Sequence, residues 1–136
     1  MDPFEQFSDD DIFTALKRVH LLPSDEDTFE NNELEAVNAN VFRDLETSVS
    51  EGGKNFSQGQ RQLLCMGRAL LRRSKLVLMD EATASVDFQT DKAIQKTIAT
   101  EFAGCTILCI AHRLHTVIEY DRIIVLDQGQ IVEFDR

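Results

Sequence analysis

Four apolar residues in a row, Leu76-Val77-Leu78-Met79, run straight into two carboxylates, Asp80-Glu81. An apolar run this short, with no alternation, reads as a strand buried on both faces, the pattern of a parallel sheet covered by helices. Residues 106–111 repeat the pattern and end at His112, and residues 123–126 form a third such run. Between the first two, Ile94, Ile98 and Phe102 recur at helical spacing and predict a helix over 90–102. Leu114, Val117 and Ile118 predict a short helix before the third strand, and Asp127-Gln128-Gly129 predicts a turn into residues 130–134, closing a hairpin. Strand, helix, strand, helix, strand is an α/β order with a mainly parallel sheet.

The first part of the chain has a different character. Residues 1–55 hold 14 acidic and 4 basic side chains, a balance of −10, whereas residues 56–136 hold 10 of each. The whole net charge of −10 thus lies ahead of Phe56. Ser8 followed by three aspartates reads as a capped helix start, with Ile12, Ala15, Leu16 and Val19 on one stripe and Pro23 expected to stop the helix. Residues 24–40 are polar and acidic and are expected to form a mobile loop. Gly52-Gly53 marks a turn. Ser57 and Gln60 then have the spacing of a capping box, followed by Leu63, Leu64, Gly67, Leu70 and Leu71 at helical period. Gly67 inside this helix costs about 1 kcal/mol relative to Ala, for which close packing is the expected reason.

Several classes are excluded at this level. A pI near 4.6 argues against non-specific binding to nucleic acid. The longest unbroken apolar run is five residues, from Ile107 to Ala111, too short to cross a bilayer. The N-terminus has neither the basic nor the apolar region of a signal peptide. Cys65, Cys105 and Cys109 are an odd set without a C-x-x-C pair, which argues against a disulfide framework or zinc site and fits a reducing compartment.

Candidate functional residues fall at three places. In an open α/β sheet, functional groups gather beyond the C-terminal ends of strands. Asp80 there suits Mg²⁺ held through water, and Glu81 suits a general base acting on an attacking water. Taken alone, the pair is equally an acidic turn after a core strand. His112, 32 residues after Asp80, can contact a phosphate or a carboxylate, although a lone histidine at a strand end is more often structural. His112-x-x-His115 by itself is too weak for a metal site. The third place is Asn55-Phe56-Ser57-Gln58-Gly59-Gln60, where a helix N-terminus beside Ser57 and Gly59 can bind phosphate oxygens. Alone it is also an ordinary capped helix.

Together, in this order, these elements resemble the ATP-binding cassette family. Phe56-Ser57-Gln58-Gly59-Gln60 resembles its signature motif, Leu76-Val77-Leu78-Met79-Asp80-Glu81 its Walker B strand, Ser85-Val86-Asp87 its D-loop and His112 its switch histidine. The longer strings 60–65 and 80–87, with Asp2-Pro3-Phe4 ahead of Ser8-Asp9, are similar to the second nucleotide-binding domain of multidrug-resistance-associated (MRP-type, subfamily C) exporters, most of all fungal ones. The resemblance runs from residue 2 to about 134. It implies an α/β fold containing part of a P-loop NTPase core with an acidic helical subdomain: residues 1–74 as the helical subdomain and 75–136 as the C-terminal half of the catalytic core. In such exporters two cassettes sandwich two ATP molecules, each site combining one cassette's P-loop and Walker B with the other's signature. By that resemblance Asp80 serves Mg²⁺, Glu81 is the base and His112 senses the γ-phosphate. Ser85 and Asp87 couple the two sites, and Ser57, Gln58, Gly59 and Gln60 face ATP held by the partner cassette. The implied partners are a second nucleotide-binding domain and the transmembrane domains, on the cytosolic side of a vacuolar or plasma membrane, without nucleic acid and without insertion of this chain into the bilayer.

The P-loop pattern G-x-x-x-x-G-K-[ST] is missing. The one Gly-Lys pair, Gly53-Lys54, would need Gly at 48 and Ser or Thr at 55, where the chain has Ser48 and Asn55. The chain is therefore expected to be a fragment that does not hydrolyse ATP alone. Gln58 stands where the family signature has Gly, a departure frequent in the second domains of MRP-type exporters. Two other readings are weighed beside this one. One is a non-catalytic remnant or interaction module with an exposed sheet edge. The other is the head of a chromosome-maintenance ATPase, disfavoured by the acidic first 55 residues and their lack of heptads.

Overall fold

Ser8 and Asp11 start the first helix by serving each other. The Asp11 N–H donates to Ser8 Oγ at 3.2 Å and the Ser8 N–H donates to Asp11 Oδ2 at 3.2 Å, a complete capping box ahead of α1 (Asp9–Arg18). Three aspartates in its first turn and Lys17 and Arg18 in its last oppose the helix dipole favourably. Pro23 does not end this helix. His20, at φ 60°, does so in a left-handed turn, with the His20 N–H donating to Lys17 O and the Leu21 N–H to Leu16 O. That is a Schellman ending, and its usual apolar clasp is the buried pair Leu16 and Leu21.

The computed structural model describes residues 1–23, 41–80, 86–111, 117–118 and 120–135. The acidic loop expected at 24–40 lies outside them, as does most of the short helix expected near 114–118. Four further elements build the body of the fold. α2 (Gln58–Leu71) packs on α1, and α3 (Phe88–Glu101) packs on α2. β1 (Leu76–Asp80) and β2 (Thr106–Ile110) pair in parallel, Leu76 beside Thr106 and Asp80 beside Ile110. Leu16, Val19, Leu63, Met66, Val77, Met79, Ile94 and Phe102 belong to one buried cluster, so α1, α2, α3 and one face of β1 share a core. The stripe expected on α3 is there. Ile94 and Phe102 are buried, and buried Thr97 satisfies its hydroxyl on Ala93 O at 2.9 Å.

β1 departs from the expected burial on both faces. Val77 and Met79 enter the core, but Leu76 and Leu78 on the other face are 56% and 70% exposed, and Leu108 and Ile110 of β2 continue that face. A parallel sheet needs a layer on each side, and among the described residues only one layer is present. The hairpin of β3 (Ile123–Asp127) and β4 (Gln130–Asp135) is a separate two-stranded antiparallel sheet. Gln128 and Gly129 both have positive φ, which gives the primed two-residue turn that matches strand twist. The α/β class holds, with one parallel pair and one antiparallel pair among the described strands.

Candidate functional site

Phe56 leads the chain into α2. It is buried against Phe42, the two rings stacked with centroids 5.3 Å apart. The turn ahead of it is closed by Asn55, whose Oδ1 accepts from the Ser50 N–H and hydroxyl, both at 3.0 Å, and whose Nδ2 donates to Ser48 O at 2.9 Å. Gly52 and Gly53 take positive φ in this turn, and Arg61 reaches back from α2 to donate to Gly52 O at 3.2 Å. Side chains on both sides thus pin the approach to α2.

At the helix start, the Gln60 N–H donates to Ser57 Oγ at 3.1 Å and the Ser57 N–H to Gln60 Oε1 at 2.8 Å. The predicted capping box is present, and Gln58 beside it is exposed. No acidic residue lies in the first turn of α2, whereas α1 has three. The positive end of the α2 dipole is therefore not matched by carboxylates of its own first turn, the condition under which a helix start attracts an anion.

Asp87 caps α3. Its Oδ1 accepts from the Thr90 N–H at 3.0 Å and its Oδ2 from the Thr90 hydroxyl at 2.6 Å. The Thr90 hydroxyl first, then the Thr90 N–H, hold the Asp87 carboxyl below the usual carboxylate range. Thr90 is itself buried and lies against Gly59: a Cβ on Gly59 would sit 2.6 Å from Thr90 Cγ2. The structure thereby joins the signature-like helix start to the D-loop-like turn. The strand-end site is represented by Asp80, exposed at the C-terminal end of β1 beside Ile110. Mg²⁺ binds through one or two carboxylates while keeping most of its waters, and an exposed strand-end carboxylate suits that role. Glu81, Ser85 and His112 lie outside the described residues. No cluster of three or more metal-ligating side chains occurs among the described residues.

Thr90 and Arg61 carry no functional reading in the sequence, and Asn55 enters there only as the first residue of the segment 55–60. The Asp-x-x-Thr spacing of residues 87–90 carries the signal of an N-cap pair. Arg61 and the Ser50–Asn55 link become visible only once the turn is built.

The profile of the family described as ABC transporter matches residues 5–84. The chain belongs to the ABC transporter family. It is 50% identical over 99% of its length to the pleiotropic ABC efflux transporter of multiple drugs of Candida glabrata and to the ATP-dependent bile acid permease of Saccharomyces cerevisiae. It is 48% identical over 98% of its length to human ATP-binding cassette sub-family C member 2. The resemblance to MRP-type, sub-family C exporters and to their nucleotide-binding domain is therefore carried by nearly every part of this cassette sequence. The chain spans 8% of the Candida relative, 9% of the yeast one and 8% of the human one. No described helix is long and apolar enough to cross a membrane.

Proposed function

We propose that this chain supplies the signature helix, the Mg²⁺ carboxylate and the D-loop of the second nucleotide-binding domain of an MRP-type ABC exporter. Residues 1–74 act as the helical subdomain and 75–136 as the second half of the catalytic core. The observation that carries the reading is the start of α2. It is a helix end closed by a capping box, without acidic residues in its first turn, with Gly59 against Thr90, the residue that Asp87 caps. Such an end suits the phosphates of an ATP molecule held by another cassette. Ser57, Gln58, Gly59 and Gln60 face that nucleotide, Ser85 and Asp87 relay between the two sites, and Asp80 holds Mg²⁺ through water. Glu81 takes the proton of the attacking water and His112 contacts the γ-phosphate. ATP supplies the phosphoryl bond whose hydrolysis drives export. The phosphate contacts of a P-loop come from sequence other than these 136 residues, together with the transmembrane partners, on the cytosolic side of a vacuolar or plasma membrane.

The decisive experiment exchanges the matching segment of the Candida glabrata relative for this sequence and measures ATPase activity in membranes. Retained hydrolysis that disappears with Glu81→Gln supports the reading. A chimera that reaches the membrane and does not hydrolyse ATP overturns it. The isolated chain is expected to show no stabilisation by Mg-ATP, and a clear thermal shift at micromolar nucleotide would contradict that.

One observation favours a second reading, an interaction module. The uncovered face of Leu76, Leu78, Leu108 and Ile110 is an apolar surface that calls for a partner. If the chain acts this way, it is captured in complexes with a nucleotide-binding half while the Glu81→Gln variant behaves as the parent does.

A further inference from the structure

We infer that Thr90 is a positioning residue that locks the Asp87 turn to the start of α2, so that these two segments shift together. The inference rests on the proposed function for its consequence in the ATP site, but on geometry alone for the lock itself.

Thr90 has two ends, and both are engaged. Its hydroxyl donates to Asp87 Oδ2 at 2.6 Å and its N–H to Asp87 Oδ1 at 3.0 Å. Its methyl face lies on Gly59, where an added Cβ would meet Cγ2 at 2.6 Å, Oγ1 at 3.0 Å and the Thr90 Cβ at 3.3 Å. Thr90 is only 3% exposed, so its side chain has no open space into which to swing. A β-branched side chain moves by staggered steps about χ1, and one step that carried Cγ2 away from Gly59 would also carry the hydroxyl off Asp87. Pressure from Gly59 is thus converted into loss of a hydrogen bond at Asp87.

The far side of Gly59 is equally stiff. Ser57 and Gln60 close their reciprocal cap around it, and Arg61 ties the following residue of the helix to Gly52. A displacement at the helix start is therefore resisted by these bonds and by the contact of Gly59 with Thr90. In the proposed ATP site, one segment of the pair faces nucleotide and the other relays to the second site. Thr90 would make occupation of the first felt at the second within a single chain.

Amide hydrogen exchange by NMR on the full chain tests the lock without nucleotide. The Thr90 amide reports the Asp87 cap, the Gln60 amide reports the Ser57 cap, and the Leu16 amide reports global opening. Gly59→Ala is expected to speed exchange at Thr90 by roughly fivefold more than at Leu16, the scale of losing one cap. Adding Thr90→Ser, which keeps the hydroxyl and removes the 2.6 Å contact of Cγ2, is expected to restore part of it. Exchange at Thr90 that rises only as much as at Leu16, or that serine fails to restore even in part, overturns the inference. Should Gly59→Ala fail to fold, Asp87→Ala decides: a larger rise in exchange at Gln60 than at Leu16 supports the lock, and an equal rise rejects it. None of these readouts depends on ATP, so an inactive chimera leaves them intact, and an active chimera does not rescue them.

Discussion

Met1 lies over Gly67. A Cβ on that glycine would come within 2.8 Å of the Met1 Cε and 3.6 Å of Val19 Cγ2. The glycine in mid-helix thus lets the N-terminal residue and α1 approach α2. The two contacts differ in how readily they yield. Met1 is a flexible side chain whose end can move, and 3.6 Å to Val19 is ordinary contact. Gly67→Ala gains about 1 kcal/mol of helix propensity and loses part of a Met1 contact, so the net change in stability is expected to be close to zero. Gly67→Leu has to displace Val19, which is fully buried, and overpacking of this kind costs about 1–3 kcal/mol. Urea melts of the two variants check the contrast.

The cap at Ser57 carries a separate prediction. Ser57→Ala removes the acceptor of the Gln60 N–H at the start of α2. Loss of an N-cap serine costs about 1 kcal/mol, and aspartate at the same place restores most of it. Ser57→Asp is therefore expected to melt like the parent and Ser57→Ala below it. The two variants separate structure from nucleotide contact: in the proposed site the aspartate places a charge where phosphate binds, so it should keep stability while losing ATP hydrolysis in the chimera.

How much of this is legible in the sequence differs by residue. The cap at Ser8 and the capping box of Ser57 with Gln60 are readable because they are local, each needing only a single turn of chain, whereas the return bond of Asp11 to the Ser8 N–H appears only in the structure. β1 is readable as a strand from its unbroken apolar run, but the covering of its second face is not, because burial depends on what packs there and not on the strand. Pro23 is the strongest helix breaker in view, yet His20 ends α1 ahead of it, and a left-handed histidine leaves no clear mark in sequence. The pairing of Gly59 with Thr90 joins residues 31 positions apart and has no local signal at all.

Acid should weaken the start of α3. The Asp87 carboxyl is held below its ordinary range by the Thr90 hydroxyl and N–H. A depressed folded pKa contributes stability above the unfolded value, about 3.9, and that contribution is lost as pH falls through the lower folded value. Asp11 behaves alike at α1, its pKa lowered by the Ser8 hydroxyl and N–H. Melting temperatures are therefore expected to drop below about pH 4. Asp87→Asn should flatten part of that decline, while Thr90→Ser should leave it as it is. A decline of unchanged steepness in Asp87→Asn counts against this assignment.

The uncovered face of the parallel pair sets the solution behaviour of the chain. Leu78 at 70% and Leu108 at 54% exposure stand next to each other in register, in a row of apolar side chains with Leu76 and Ile110. Contiguous apolar surface of this kind drives association, so the chain by itself is expected to self-associate as concentration rises in sedimentation runs. Leu78→Lys with Leu108→Lys should shift it towards monomer without loss of the cooperative melt, because neither side chain contributes to the core. Continued self-association in the double variant would locate the sticky surface elsewhere, on the exposed apolar residues of the β3–β4 hairpin.

Arg18 and Glu101 form an ion pair between the last turns of α1 and α3, 83 residues apart in sequence. Its position is attractive, since it ties the N-terminal helix to the helix that Asp87 caps. Its energy is a different matter. The Arg18 side chain is half exposed, and pairs in such settings contribute about 0–1 kcal/mol and weaken with salt. The buried cluster shared by α1, α2 and α3 is what holds these helices together. Arg18→Ala is accordingly expected to lower stability by no more than about 1 kcal/mol, with the difference from the parent vanishing near about 1 M salt. Leu16→Ala, at a site 1% exposed, is expected to cost about 2–5 kcal/mol at any salt concentration. Denaturant melts of both variants at low and high salt distinguish the two contributions, and a salt-independent loss above that range for Arg18→Ala would show that the pair is buried in solution.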